Sequence, residues 1–389
     1  MNLTAEEQDI LAGKQGTALQ KALSVLVRYG EAFGAAELAS IRSAHLVGSA
    51  GCVLYPTYIR FLRDVVTDGH RVRVPTTLNP RPFDPGDGSI LGRLIFMRQG
   101  QLESMAACLG CDAAYTCTPY FGANVPAPGD AVAWAESSAA AYANSVLGAR
   151  TNPTPAMIDV CSAILGRTPR YGLLLDENRR GTHLVTVQAQ RGIDYGVLGY
   201  LMARELVTGV PVIEGIQPGP DDLKTLGAAL GTAGAMALFH VREVTPEARS
   251  LGRGILRGDH SHVTIGAAEL KRTQQALRRD TGRFSHVIIG CPHLSFQELQ
   301  RIATALGGRR VRGRLWLLAC HSIRRRLPGS AAERSLREAG ADLKSLCPIY
   351  FHETPRLFGK RILTDSVKLA HHTASAWAPL EECLSAAQR

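Results

Sequence analysis

The chain has no long apolar run, and that absence removes a whole class of function. The longest weakly polar stretch, Gly227 to Phe239, is mostly Gly and Ala. It falls short of the roughly 20 residues a membrane span needs. The opening residues, Met1 to Lys14, are polar and acidic, with no apolar core behind a basic start, so no secretory signal is expected. Aromatic residues make up only 6% of the chain, and none interleave with the arginine clusters. Stacking of single-stranded nucleic acid on aromatic rings is thereby disfavoured. Also missing are a Walker loop, a G-x-G-x-x-G after a strand, an H-E-x-x-H helix, internal repeats and low-complexity tracts.

What is present describes a large enzyme-like chain. With 389 residues and 45% hydrophobic composition, two or three domains are expected. The nine cysteines, an odd number, run from Cys52 to Cys383. In a chain this large they read as a cytosolic thiol set, some buried and inert and some ligating metal, not as a disulfide framework. A soluble, cytoplasmic protein with no membrane or nucleic-acid partner is expected. The net charge of +10 is visible in Arg309, Arg310, Arg312, Arg314 and Arg324 to Arg326. The plain reading is a solvated basic face. The functional readings are attraction of anionic substrates or of an acidic partner.

The element pattern is α/β. Thr4-Ala5-Glu6-Glu7 forms a capping box, so a helix starts near Ala5, and a second amphipathic helix covers Leu19 to Phe33. Arg71 to Val74 alternates as a strand that should end at Pro75. Ala133 to Leu147 reads as a small-residue helix whose polar positions face either a cavity or tight neighbours. Short strands are expected at Leu173–Leu175 and Leu184–Val187, and a helix from Asp221. The last third is clearest. A buried strand spans Ser285 to Gly290, a capping box at Ser295 starts a helix, a strand covers Arg314 to Ala319, and a helix covers Ala331 to Ala339. The segment Asp342 to Ile349 follows and carries Cys347. Strand–helix alternation marks parallel sheets. We divide the chain into residues 1–150, 151–280 and 281–389. The first carries Cys117, the third carries Cys291 and Cys347, and the C-terminal segment returns to the site.

Ligand sites of parallel sheets form at the carboxyl ends of strands. Cys291 sits at such an end just before a helix, where the helix dipole favours a thiolate. Cys117 and Cys347 also stand next to, or one residue away from, a proline. Three thiolates from distant loops suit iron or an iron–sulfur cluster with an open position. The residues alone leave the other reading open, that these are buried, unliganded cysteines. Cys108, Cys111 and Cys320 are weaker ligand candidates, and His371 and His372 read as structural.

Several strings resemble the aconitase X family. They are Val74-Pro75-Thr76-Thr77-Leu78-Asn79, Tyr115-Thr116-Cys117-Thr118-Pro119-Tyr120, Ala133-Trp134-Ala135-Glu136-Ser137-Ser138, Asn144-Ser145-Val146-Leu147-Gly148-Ala149-Arg150-Thr151-Asn152 and Gly290-Cys291-Pro292-His293. The resemblance runs from Leu3 to Ala387. It implies an aconitase-like fold of multiple three-layer α/β units with parallel sheets, here lacking the swivelling small domain. It implies iron or an iron–sulfur cluster, with a [2Fe-2S] cluster as one form, held by Cys117, Cys291 and Cys347. It implies a hydro-lyase subunit that dehydrates a small hydroxy acid and works with a separate small, swivelling-domain subunit. The expected substrate is cis-3-hydroxy-L-proline. The alternatives are a phosphomevalonate-type dehydratase subunit and a non-catalytic iron-dependent binding or sensing protein. Lys368 and Ser366 are the catalytic candidates on this chain. Thr76, Thr77, Asn79, Ser137, Ser138, Asn144 and Arg150 are the substrate-binding candidates, Arg150 and Lys368 being suited to a carboxylate. The chain departs from the family pattern at Ser345-Leu346-Cys347 and at Thr364-Asp365-Ser366-Val367-Lys368.

Overall fold

Three parallel sheets and one short antiparallel pair carry the fold, each sheet built from a separate third of the sequence. The computed structural model describes residues 1–47, 56–82, 90–188, 192–234, 236–279, 284–312, 314–349 and 360–388, without the side chains of 90–96 and 98.

In the first unit the capping box forms as expected. The Glu7 N–H donates to the Thr4 hydroxyl and the Thr4 N–H to the Glu7 carboxylate, opening the helix Ala5–Leu11. The helix Thr17–Ala32 buries Ala18, Leu19, Ala22, Leu23 and Leu26, which share one face at helical spacing. It packs on the helix Ala156–Leu165. β1 (Leu38–Ser40) pairs antiparallel with β5 (Arg167–Pro169). β2 (Ser43–Leu46) is central and wholly buried, parallel to β3 (Thr76–Leu78) on one side and β4 (Val132–Trp134) on the other.

Three sequence expectations need correction here. The strand expected over Arg71–Val74 lies beyond Pro75 instead. Val72 and Arg73 donate to the carbonyls of Leu109 and Ala163, so this stretch is tied to the ends of two helices. Pro75 then stands where a missing donor costs nothing: its carbonyl accepts from Ala44, and the ladder starts at Thr76. The helix expected from Ala133 starts later, because Val132–Trp134 is claimed by the sheet. Glu136 caps the helix Ser137–Ser145 by accepting the Ala139 N–H at 2.6 Å. Leu173–Leu175 is not a strand. Gly172–Leu174 forms a tight 3-10 turn, gripped by Asn152, which accepts from Leu173 N and donates to Tyr171 O.

The second unit holds β6 (Gly181–Val187), β7 (Pro211–Glu214), β8 (His240–Val241) and β9 (Leu256–Ile265), in the order β8-β7-β6-β9. Its helices Tyr195–Leu206 and Pro220–Ala233 cross closely at Gly199, where a Cβ would stand 2.7 Å from the Leu226 carbonyl oxygen. The third unit centres on β10 (His286–Ile289), flanked by β11 (Arg314–Leu318), β12 (Asp342–Lys344), β13 (Ile362–Thr364) and β14 (Ala376–Trp377). The order is β12-β11-β10-β13-β14, all parallel. The helices Phe296–Leu306 and Ala331–Ala339 stand where the sequence puts them. No separate small unit is present among the described residues.

One buried carboxyl sets a pH test of stability. Asp159 is fully buried, accepts the Thr154 hydroxyl, and has the Ala135 N–H beside its carboxyl. Burial pushes it well above the usual carboxylate range. The folded chain therefore holds this proton to higher pH than the unfolded chain does. Its contribution is most favourable at low pH and falls as pH climbs from the ordinary range through the raised value. Asp159→Asn should accordingly gain on the parent as pH rises. Urea midpoints of both proteins at about pH 5 and about pH 8 check this. A gap that stays constant with pH rejects it.

Candidate active site

The carboxyl ends of strands from the first and third sheets face one another across a cavity of about 260 Å³. Asn79 follows β3, and Glu136 and Ser137 follow β4. Gly290, Cys291 and His293 follow β10, Cys347 follows β12, and Lys368 follows β13. Parallel strands send their chain turns to one edge, so this placement is a consequence of topology. Cys117 enters on the loop after residue 116, whose N–H is bonded to the Leu78 carbonyl at the end of β3.

Local geometry explains each position. Gly290 adopts φ +111°, and a Cβ there would lie 2.5 Å from the Leu318 carbonyl oxygen. Only glycine lets β10 turn so tightly into Cys291. Cys117 sits in a turn closed by the Thr118 N–H donating to the Thr116 hydroxyl at 2.9 Å. Its Sγ accepts the His293 N–H at 3.2 Å. Cys117, Cys291 and Cys347 all line the cavity. Cys291 stands near enough to feel both other thiols.

Burial pushes the Cys291 thiol up to about 12 and the Cys117 thiol well above its usual range. This corrects the expectation that Cys291 is a ready thiolate. Its helix begins only at Phe296, and desolvation outweighs the dipole at that distance. Among the described residues no three Cys, His, Asp or Glu side chains stand close enough to form a finished metal cage. The donor set nevertheless fits a soft metal: three sulfurs from three loops, beside open volume.

The charged heart of the cavity is a buried pair. Lys368 Nζ donates to Glu136 Oε1 at 2.5 Å and to the Ser138 hydroxyl at 3.2 Å. Ser138 in turn donates to Glu136 Oε2 at 2.6 Å. Burial alone would raise Glu136, but Lys368, Ser138 and the Ala139 N–H hold it below its ordinary value. Burial alone would lower Lys368, but Glu136 holds it above. Both are therefore charged at neutral pH.

The remaining candidates divide. Asn79 lines the cavity with its amide beside His45, and Ser137 lines it too. Ser366 caps the helix Val367–His372, accepting the Leu369 N–H at 3.1 Å, and gives its own proton to the Cys291 carbonyl. Thr76 is bonded to the Val74 carbonyl at 2.8 Å, and Thr77 to His45 Nδ1 at 2.8 Å. Both are buried, and neither is among the residues lining the cavity. Two candidates stand elsewhere. Asn144 donates to the Thr151 and Ala237 carbonyls and accepts from Thr151 and Arg179. Arg150 is engaged with Asp176 and the Leu174 carbonyl. These two knit the loop 144–179, and neither lines the cavity.

In the sequence Glu136 stands among the polar positions of the alanine-rich stretch and in one of the family strings, with no role assigned to it. Its signal was the position one residue before a helix at the end of a strand. His293 enters the sequence reading only as the end of the Gly290-Cys291-Pro292-His293 string.

Comparison with known protein families places the chain. The aconitase X first, second and third domains match residues 1–177, 181–275 and 284–389 in turn. The chain belongs to the aconitase X family. It is a hydro-lyase, as the relatives are. The phosphomevalonate dehydratase large subunit of Thermococcus kodakarensis is 41% identical over 317 residues, covering 81% of this chain and 78% of its own. That of Methanocaldococcus jannaschii is 33% identical over 388 residues, covering 96% of each. The cis-3-hydroxy-L-proline dehydratase of Pseudomonas aeruginosa is 33% identical over 409 residues, covering 99% of this chain and 70% of its own. The crystal structure of Thermococcus kodakaraensis aconitase X in its holo-form superposes with a TM-score of 0.90 at 35% identity, covering 99% of both chains. In the aconitase X chain described here, no helix among the described residues is long and apolar enough to cross a membrane.

Proposed function

We propose that this aconitase X chain dehydrates cis-3-hydroxy-L-proline, working with a separate small subunit. The observation that carries the reading is the cavity where Cys117, Cys291 and Cys347 meet the buried Glu136–Lys368 pair. Elimination of water needs three things: a grip on the carboxylate, a base for the neighbouring proton, and help for the departing hydroxide. Lys368 is the ammonium for the carboxylate, and Glu136 and Ser138 aim it. Asn79 and Ser137 supply hydrogen-bonding groups at the wall. The three thiols would hold iron or an iron–sulfur cluster, which supplies Lewis acidity to the leaving hydroxyl. The large-subunit names of relatives imply a small-subunit partner, and we assign the base to that partner. The C–H bond breaks toward that base, the C–O bond breaks, and the double bond forms between the two carbons.

The substrate reading rests on charge. The described wall has one carboxylate, Glu136, and one ammonium, Lys368. A wall with both signs suits a zwitterionic imino acid. A second reading, dehydration of phosphomevalonate, is favoured by the 41% identity to a phosphomevalonate dehydratase large subunit and by the chain's charge of +10. The described cysteines are all free thiols, which suits a reducing cytoplasm.

Anaerobically purified chain, co-expressed with an aconitase X small subunit, should convert cis-3-hydroxy-L-proline to its dehydration product, followed by proton NMR. Turnover of phosphomevalonate alone would replace the first reading by the second. Turnover of neither, with iron bound, would favour a binding or sensing role.

A further inference from the structure

His293 touches all three thiol-bearing loops, although it belongs to only one of them. It stands two residues beyond Cys291. Its backbone N–H donates to Cys117 Sγ at 3.2 Å. Its ring Nε2 lies 3.0 Å from the carbonyl oxygen of Leu346, the residue before Cys347. A carbonyl oxygen only accepts, so Nε2 carries the ring proton. The residue is itself firmly held. The His293 carbonyl accepts from Lys224 Nζ at 3.1 Å. Lys224 is buried and ion-paired with Glu298, and Glu298 also accepts the Ser295 N–H at 2.7 Å. The ring is fully buried at the cavity wall. The far side of the Cys347 loop is tied to the first unit, where the Cys347 N–H donates to the Arg81 carbonyl at 2.7 Å.

We infer that the His293 ring is a positioning residue: it ties the Cys347 loop to the Cys117 and Cys291 loops and so sets the spacing of the three thiols. The consequence for metal rests on the proposed iron-holding role of those thiols; the tether itself does not. Side chains that orient ligand-bearing loops affect affinity without touching the metal. An ordinary buried histidine would share the burial and the single ring hydrogen bond. It would not control a cysteine on another strand's loop.

Two substitutions separate these accounts. Gln places an N–H near the Nε2 position and can still reach the Leu346 carbonyl. Asn places its amide nearer the backbone, at the Nδ1 position, and cannot. The full-length chain, reduced and metal-free, is treated with iodoacetamide, and each cysteine is followed by mass spectrometry. In His293→Asn, Cys347 should be alkylated several-fold faster than in the parent. Cys161 and Cys383, buried in other parts of the core, should not change. His293→Gln should stay near the parent. Ferrous titration of the same proteins should then show affinity reduced by about 10- to 100-fold in His293→Asn and largely kept in His293→Gln. Equal Cys347 rates in all three proteins overturn the inference. If Cys161 also becomes reactive in His293→Asn, that variant has unfolded and His293→Phe, which keeps a ring of similar size and lacks the N–H, carries the test. A Cys347 rate several-fold above the parent in folded His293→Phe then supports the tether, and a parental one rejects it. A parent that binds no iron while the alkylation pattern holds sinks the iron reading and leaves the tether standing.

Discussion

Lys368→Met should cut turnover by about a thousandfold, the scale seen when a preorganised group facing developing charge is removed. Lys368 is the ammonium at the described cavity wall, and two of its three protons are directed by Glu136 and Ser138, which leaves one for a substrate. Methionine keeps the length and apolar stem and removes the charge. Stability should fall as well, by about 3–5 kcal/mol, because Glu136 would be left buried and unpaired. These two effects need separating. The double variant Glu136→Gln/Lys368→Met leaves no orphaned charge, so its melting midpoint should return most of the way to the parent while turnover stays lost. Steady-state kinetics and urea melts on parent, single and double variants make the comparison. Activity recovered with stability in the double variant would show that the pair serves the framework alone.

This pair also marks the limit of what the sequence discloses. The strand–helix alternation after Ser285 is readable because Val287, Ile288 and Ile289 form a wholly buried run and Ser295 opens its helix with a complete capping box. Thr4 and Glu7 are readable for the same reason. Such signals are local: donor, acceptor and apolar spacing all lie within one turn. The Glu136–Lys368 bond joins residues 232 positions apart, and the bond from His293 to Cys117 spans 176. No periodicity encodes those. Arg71–Val74 fails for a related reason. Its alternation suits a strand, but helix ends elsewhere in the chain take up its donors. Asn144 and Arg150 carry the residue types a carboxylate site wants. They are spent on the loop 144–179, where Arg179 also donates to the Leu173, Asn144 and Ala149 carbonyls. The family resemblance located the cysteines. Geometry was needed to show that Cys117, Cys291 and Cys347 share one cavity with a charged pair behind them.

Changing Cys117, Cys291 or Cys347 singly to Ser should each remove most of the iron from anaerobically purified protein. The physical reason is softness. A serine hydroxyl occupies nearly the same place but stays protonated and offers a hard, weak donor where a thiolate would bind. Burial raises Cys291 to about 12 in the metal-free chain, so binding must displace its proton. Uptake should therefore release protons and strengthen as pH rises toward that value, which a ferrous titration in weakly buffered solution can follow. Cys320→Ser is the control: Cys320 is buried in the third unit's core and does not line the cavity. Its iron content should match the parent. The decisive contrast is between the three cavity thiols and this one. Equal iron in all five proteins would return Cys117, Cys291 and Cys347 to a packing role, and the Lewis-acid part of the mechanism would go with them. Iron lost in the three and kept in Cys320→Ser would tie the metal to the wall that also holds Lys368. The carboxylate grip and the leaving-group assistance would then face one substrate.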